Sequence, residues 1–219
     1  SSSKPLIKFF FDINSPYSYV GFEILARLHA NRSSDLAVQW MPVRVPAIFK
    51  KLRASSGPVT ITPEKTAYTV RDLCRQAEYY GVDIKVPQNV NLGAFLRSGN
   101  TVAAQRLIIA ADAEKTMPLT SLIRAFFARM WRDHLPMHEQ EHLEEILSSL
   151  NIDRATSTDL ISKITSPEVK QKFVDNTQEA IDDGAIGVPW MKVYRAGETN
   201  HESYFGSDRF HLIEKYLRL

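Results

Sequence analysis

Ser15-Pro16-Tyr17-Ser18 follows the apolar run Leu6 to Phe11, and it places two hydroxyls around a proline where a strand hands over to a helix. A serine just before a helix accepts from a free N–H of the first turn, and proline suits the first helical position because its missing N–H would have no partner there. Taken alone this is ordinary helix punctuation. The same place has a second chemistry, because free N–H groups and the helix dipole at such a start stabilise an anion, a thiolate included. Val188-Pro189 opens a later apolar run, where a proline is usual edge punctuation; a cis bond there would leave the Val188 backbone open to an extended peptide. Gly206-Ser207-Asp208-Arg209 precedes Phe210, Ile213 and Leu217 at helical spacing. Ser207 or Asp208 reads plainly as a cap, yet a helix start also binds a carboxylate and Asp208 can pair with an ammonium, so the two ends of an α-amino acid would suit it.

Two other features carry less. His138-Glu139-Gln140-Glu141-His142 matches the H-E-x-x-H zinc pattern, in which two histidines four apart on a helix hold the metal and the glutamate activates water. Pro136 puts this run in the first turn of its helix, and the apolar face is set by Leu143, Ile146, Leu147 and Leu150, so the histidines belong to a solvated flank and no metal is expected. Cys74, beside Val70 and Leu73, reads as a buried small hydrophobe.

The elements that must position these residues follow from the hydrophobic pattern. Leu6 to Phe11 reads as a strand, Tyr19 to Leu28 as a helix and Leu36 to Met41 as a second strand, giving a β-α-β opening and a parallel pair. Val45 to Thr62 reads as a loop. From about Thr62 to Asp183 strand patterns vanish, and the spacing predicts helices over Pro63 to Tyr80, Leu92 to Ala113, Pro118 to Trp131, Met137 to Leu150, Ser157 to Thr165 and Ser166 to Asp183. Pro189 to Tyr194 and His201 to Phe205 then read as a hairpin, followed by a final amphipathic helix. The fold class is α/β: a thioredoxin-like domain interrupted by an all-helical insertion. Its N-terminal β-α-β half is residues 1–61, the insertion 62–183 and the C-terminal β-β-α half 184–219.

In a thioredoxin-like fold the first strand-to-helix turn carries a reactive cysteine pair, and the proline opening the penultimate strand is cis and faces that helix. Here both cysteine positions are serine, Ser15 and Ser18. A serine cannot exchange disulfides, but its hydroxyl can donate to a thiolate brought by a ligand. With Phe10-Phe11-Asp12 through Gly21-Phe22-Glu23, Gly184 to Pro189 and Phe205 to Arg209, the chain resembles kappa-class glutathione transferases over nearly its whole length.

That resemblance implies glutathione as co-substrate, conjugation to small hydrophobic electrophiles, reduction of organic peroxides, a homodimer, and a mitochondrial or peroxisomal location. It places Ser15 at the glutathione sulfur, Pro16 and Tyr17 in the same contacting segment, and the Val188 backbone on the cysteinyl part. Ser207 and Asp208 fall on the pair that holds the γ-glutamyl end. Lys65 would meet the glycyl carboxylate, and Ser56 stands where the family has an asparagine. A free thiol titrates near pH 8.5, and lowering that by about two units, worth roughly 2.7 kcal/mol, makes thiolate the main form at neutral pH. Two rivals share the pattern: a glutathione-dependent isomerase of the 2-hydroxychromene-2-carboxylate type, and a non-catalytic protein that binds glutathione or hydrophobic ligands.

Composition narrows the field further. The 219 residues carry 27 Lys plus Arg against 25 Asp plus Glu, with the basic residues scattered, so nucleic acid is not an indicated partner. No apolar run reaches the roughly 18 residues that a membrane span needs. The start Ser1-Ser2-Ser3 lacks the parts of a signal peptide, and the scarcity of cysteine suggests an intracellular, reducing compartment. The single cysteine excludes an internal disulfide, a C-x-x-C redox pair and any multi-cysteine metal site. Any thiol chemistry here draws its sulfur from a ligand or from Cys74 alone.

Overall fold

The computed structural model describes residues 4–56, 62–87, 95–96 and 99–219, with the side chains of residues 54–56 left aside. Four strands form one sheet in the order β2-β1-β3-β4: β1 (Leu6–Phe11), β2 (Ala37–Pro42), β3 (Trp190–Tyr194) and β4 (His201–Phe205). β1 and β2 run parallel, while β3 is antiparallel to both β1 and β4. Helix α1 (Pro16–Asn31) makes the crossover between β1 and β2, as the β-α-β pattern predicts.

The alternation of side chains along β1 separates two cores. Phe9 and Phe11 share one face, with ring centroids 5.8 Å apart; Trp40, paired with Phe9 across the sheet, stacks its ring edge-on at 5.6 Å and meets Phe22 of α1 at 5.1 Å. Phe10 points the other way and packs with Met41, Val43, Trp190, Ala180 and Ile48. Ile48 belongs to α2 (Val45–Ser56), a helix inside the segment expected to be a loop. Its signal was present in the sequence: Val45, Ile48 and Leu52 recur at helical spacing and all join this core. What the pattern could not show is its cap, since the donor-bearing start of α2 is bound by a carboxylate 33 residues earlier, the Asp12 Oδ2 that accepts from Val45 N at 3.1 Å.

Backbone contacts divide the chain into two units, Ser1–Val59 with Asn176–Leu219, and Thr60–Asp175. Helix α8 (Pro167–Asp182) gives its second half to the sheet-bearing unit, and the side chains explain why. Asn176 donates to the carbonyl of Pro42 at 3.2 Å, Thr177 Oγ1 accepts from Arg44 N at 3.0 Å, and Ala180 and Ile181 enter the Phe10 core.

The other unit is helical. It holds α3 (Pro63–Tyr80), α4 (Val102–Glu114), α5 (Leu119–Trp131), α6 (Gln140–Ser149) and α7 (Arg154–Lys163), besides the start of α8. Helix α4 packs on α5 and α7, and α6 packs on the same two, around fully buried Leu107, Ile108, Phe126, Phe127, Leu143 and Leu160. Helix α3 has the predicted bounds, with Thr62 Oγ1 accepting from Lys65 N at 3.3 Å and Gly81 closing it at φ +60°. Of the helix expected over Leu92 to Ala113, the start lies outside the described residues, Phe95 and Leu96 are helical, Gly99 and Asn100 are not, and α4 then runs from Val102. Cys74 is exposed rather than buried, because α3 buries only Leu73 and Ala77.

Candidate functional site

The turn after β1 is built by three short-range bonds. Asp12, buried at the strand end, accepts from Ser15 N through its carbonyl at 2.9 Å and from Asn14 N through Oδ1 at 3.0 Å. Ser15 then takes extended backbone angles (φ −104°, ψ 115°) as the N-cap of α1, and its Oγ accepts from Ser18 N at 3.1 Å, with Pro16 at the first helical position. The hydroxyl still has a proton to give, and it donates to the carbonyl of Val188 at 3.3 Å. Val188-Pro189 is a cis peptide.

Two more contacts bring the remaining sheet-side residues to this place. Gly206 N donates to the carbonyl of Pro189 at 3.0 Å, which hangs the Gly206-Ser207-Asp208 segment on the same loop. Gly21 lies in α1 where a side chain would begin 3.2 Å from Pro189 Cγ and 3.3 Å from the Phe9 ring, so the helix approaches the proline only because this residue is glycine. Ser15, Pro16, Tyr17, Val188, Ser207 and Asp208 thus converge at one end of the sheet.

The caps differ from expectation in one respect. Neither Ser207 nor Asp208 caps the last helix, α9 (Phe210–Leu217): its N-cap is Arg209, with no side-chain bond to the first turn. Asp208 is half-exposed and pairs with the Arg209 guanidinium at 2.6 Å, whereas Ser207 is buried. The open Val188 backbone is likewise modified, since its carbonyl already receives the Ser15 proton. Lys65 stands exposed in the first turn of α3, within the helical unit, and the Ser56 side chain lies outside the described residues.

The H-E-x-x-H run lies where helix α6 begins. His138 precedes α6, Glu139 occupies the N-cap position, and His142 Nδ1 accepts from Glu139 N at 3.3 Å, so the run is a helix start, with the His138 and His142 rings 5.5 Å apart. Among the described residues no group of three or more potential metal ligands gathers.

Residues 6–218 match the family model of the DSBA-like thioredoxin domain. The chain belongs to this family. In this chain the turn after β1 has Ser15 and Ser18 and holds no cysteine of its own, and Cys74 is exposed on α3. A curated relative, glutathione S-transferase kappa 2 of Caenorhabditis elegans, is 26% identical over 215 residues, covering 98% of this chain and 92% of its own length. Glutathione S-transferase kappa 1 of Homo sapiens is 27% identical over 211 residues, covering 96% of this chain and 90% of its own. A solved structure of a 2-hydroxychromene-2-carboxylate isomerase superposes with a TM-score of 0.74 at 20% identity, over 97% of this chain and 94% of its own, a likeness of fold.

Sequence reasoning missed Asp12 as a positioning group. Its carboxylate bonds both the Ser15 turn and the start of α2, and the clue was an acid at the end of an apolar strand, where a buried charge needs donors.

Proposed function

We propose that this protein is a glutathione transferase in which Ser15 holds the bound sulfur as thiolate. The observation that carries the reading is the Ser15 hydroxyl at the start of α1, aimed at the Val188 carbonyl with no cysteine in the turn. The curated relatives' names support it.

The chemistry follows from hydrogen-bond capacity. In this structure the Ser15 proton goes to a neutral carbonyl; a thiolate is a charged acceptor and makes the stronger bond. When the hydroxyl turns to the sulfur, the Val188 carbonyl is released and can accept the N–H of the ligand's cysteinyl residue, as an added strand would. Pro16 and Tyr17 border that sulfur, and Ser207 with Asp208 takes the γ-glutamyl end, the ligand ammonium replacing Arg209 at the carboxylate. Lys65 and Ser56 complete the reading at the glycyl end. The thiol loses its proton to solvent, the thiolate attacks the electrophilic carbon, an S–C bond forms, and the leaving group departs with its electron pair. Reduction of organic peroxides, a homodimer and a mitochondrial or peroxisomal location belong to the same proposal.

Conjugation of glutathione to an aryl halide, measured on the purified protein with isomerisation of 2-hydroxychromene-2-carboxylate in parallel, tests it. Conjugation is expected. Isomerisation without conjugation would establish the rival enzyme, and glutathione binding with neither reaction a binding protein.

A further inference from the structure

We propose that Asp183 is a positioning residue for glutathione: its carboxylate closes the loop that carries Val188 and ties that loop to the strand leading to Ser207 and Asp208, so the cysteinyl and γ-glutamyl contacts keep the spacing that one ligand must span. This rests on the transferase reading above. Asp183 follows the last residue of α8, at the helix end where a negative charge is disfavoured, and its side chain is only 9% exposed. Lys192, 3.9 Å away, is itself bonded to Glu179 at 3.1 Å. An apolar residue would fill this place at less cost, so a carboxylate here needs a reason beyond packing.

Its hydrogen bonds supply that reason. Gly184, at φ +84°, turns the chain out of α8, with Gly184 N and Ala185 N bonded to the carbonyls of Ile181 and Ala180 at 3.0 and 2.9 Å, and residues 184–189 then run to the cis proline. Trp190 opens β3 just beyond, and its Nε1 donates to Asp183 Oδ2 at 2.7 Å. The two residues that bracket the loop are thus joined side chain to side chain, which closes it and leaves it fewer ways to shift. The same carboxylate reaches β4: Ser203 Oγ donates to Oδ2 at 2.6 Å, and His201 Nε2 donates to Oδ1. His201, Ser203 and Phe205 alternate along this face of the strand, paired with Tyr194, Lys192 and Trp190. β4 then passes directly into Gly206, Ser207 and Asp208, and Gly206 N donates to the carbonyl of Pro189. Val188 and Asp208 therefore lie on two segments held together by one carboxylate and one backbone bond. Ser203 gives its proton to the carboxylate and not to His201, so the three residues form a clamp rather than a hydrolase relay.

The test is steady-state conjugation of glutathione to an aryl halide by the full chain, with cysteinylglycine and γ-glutamylethylamide as competing ligands that each use one of the two arms. Asp183→Ala should raise KM for glutathione about tenfold and leave kcat within about twofold, because two contacts that no longer fit one ligand lose their joint effect. The inhibition constants of both fragments should stay as in the natural protein. His201→Phe combined with Ser203→Ala cuts the ties to the edge strand β4 and keeps the Trp190 bond. It should raise the glutathione KM about threefold, and it decides the matter if Asp183→Ala does not fold. A role in stability alone would lower kcat as folded protein is lost and leave KM where it was. That result, or an equal weakening of glutathione and either fragment, overturns the positioning role and leaves the transferase intact. Absence of conjugation in the natural protein overturns the transferase reading, and this role with it.

Discussion

The Oγ of Ser15 donates its proton to the carbonyl oxygen of Val188 at 3.3 Å, across 173 positions of the chain. The sheet register makes the pairing possible: β1 ends where antiparallel β3 begins, so the turn leaving one strand meets the loop entering the other. The same oxygen of Ser15 accepts from Ser18 N, which anchors the hydroxyl at the helix start while its proton can turn from one acceptor to another.

Removing that hydroxyl tests its role directly. Ser15→Ala should lower kcat/KM for conjugation about ten- to hundredfold, the amount set by losing up to two units of thiol acidification. Glutathione affinity should change only a few-fold, because most contacts lie elsewhere on the ligand. The pH profile of kcat/KM separates this from a structural effect: its acid limb should move up toward the free-thiol value near 8.5. An unmoved limb would remove Ser15 from the chemistry.

Gly21→Ala should destabilise the protein, although alanine is worth about 1 kcal/mol over glycine in a helix interior. The new Cβ would meet Pro189 Cγ at 3.2 Å and the Phe9 ring at 3.3 Å, and Phe9 is fully buried among Phe11 and Trp40. With no room for the neighbours to give, overpacking of about 1–3 kcal/mol outweighs the propensity gain. Urea unfolding should show a lower midpoint, and conjugation should fall with it because the displaced proline adjoins Val188.

Asp183 predicts a pH dependence of stability. Buried beside β3 and β4, its carboxylate accepts from Trp190 Nε1 at 2.7 Å, Ser203 Oγ at 2.6 Å and His201 Nε2. Burial alone would raise it, but the bonds from Ser203, Trp190 and His201 outweigh that and hold it below its ordinary 3.8. Glu179 is likewise lowered from 4.5, since its bonds from Lys8 and Lys192 overcome its own burial. A lowered acid stabilises the fold above its unfolded value and loses that contribution as pH falls through the folded one. Asp183→Asn should therefore cost about 2 kcal/mol at neutral pH, and the gap between variant and natural protein should narrow below about pH 4. Lys192 is shifted the other way: burial lowers it, the bond it donates to Glu179 raises it more, and its contribution disappears only as pH climbs above the ordinary 10.5. Urea midpoints at several pH values check both limbs.

How far the sequence revealed this molecule depended on the range of the interactions. The strand β4 and the helix α3 were legible to the residue because their limits are local: turn residues on each side of His201 to Phe205, Thr62 before Pro63, Gly81 after Tyr80. Helix α2 showed its apolar spacing at Val45, Ile48 and Leu52 but no local start, because Asp12, far back in the chain, supplies its cap. Ser15 was legible as an N-cap, and its partner was not, since nothing near residue 15 announces a carbonyl at residue 188.

Gly206 gives the sharpest separation between holding the fold and holding the ligand. Its φ of +101° suits glycine alone, and a Cβ there would lie 2.8 Å from Asp208 Oδ1, so any side chain must push that carboxylate away. Gly206→Ala should therefore cost stability, by about 1–2 kcal/mol for the backbone, and also weaken glutathione binding about tenfold through the displaced carboxylate. Asp208→Ala removes the carboxylate with the backbone untouched; it should lose the same affinity and keep the natural unfolding midpoint. Cysteinylglycine, which has no γ-glutamyl end, provides the control: both variants should bind it as the natural protein does. If Asp208→Ala weakened glutathione and cysteinylglycine equally, the carboxylate would be shaping the loop rather than reading the ligand's amino-acid end, and the placement of the γ-glutamyl group at Ser207 and Asp208 would fall.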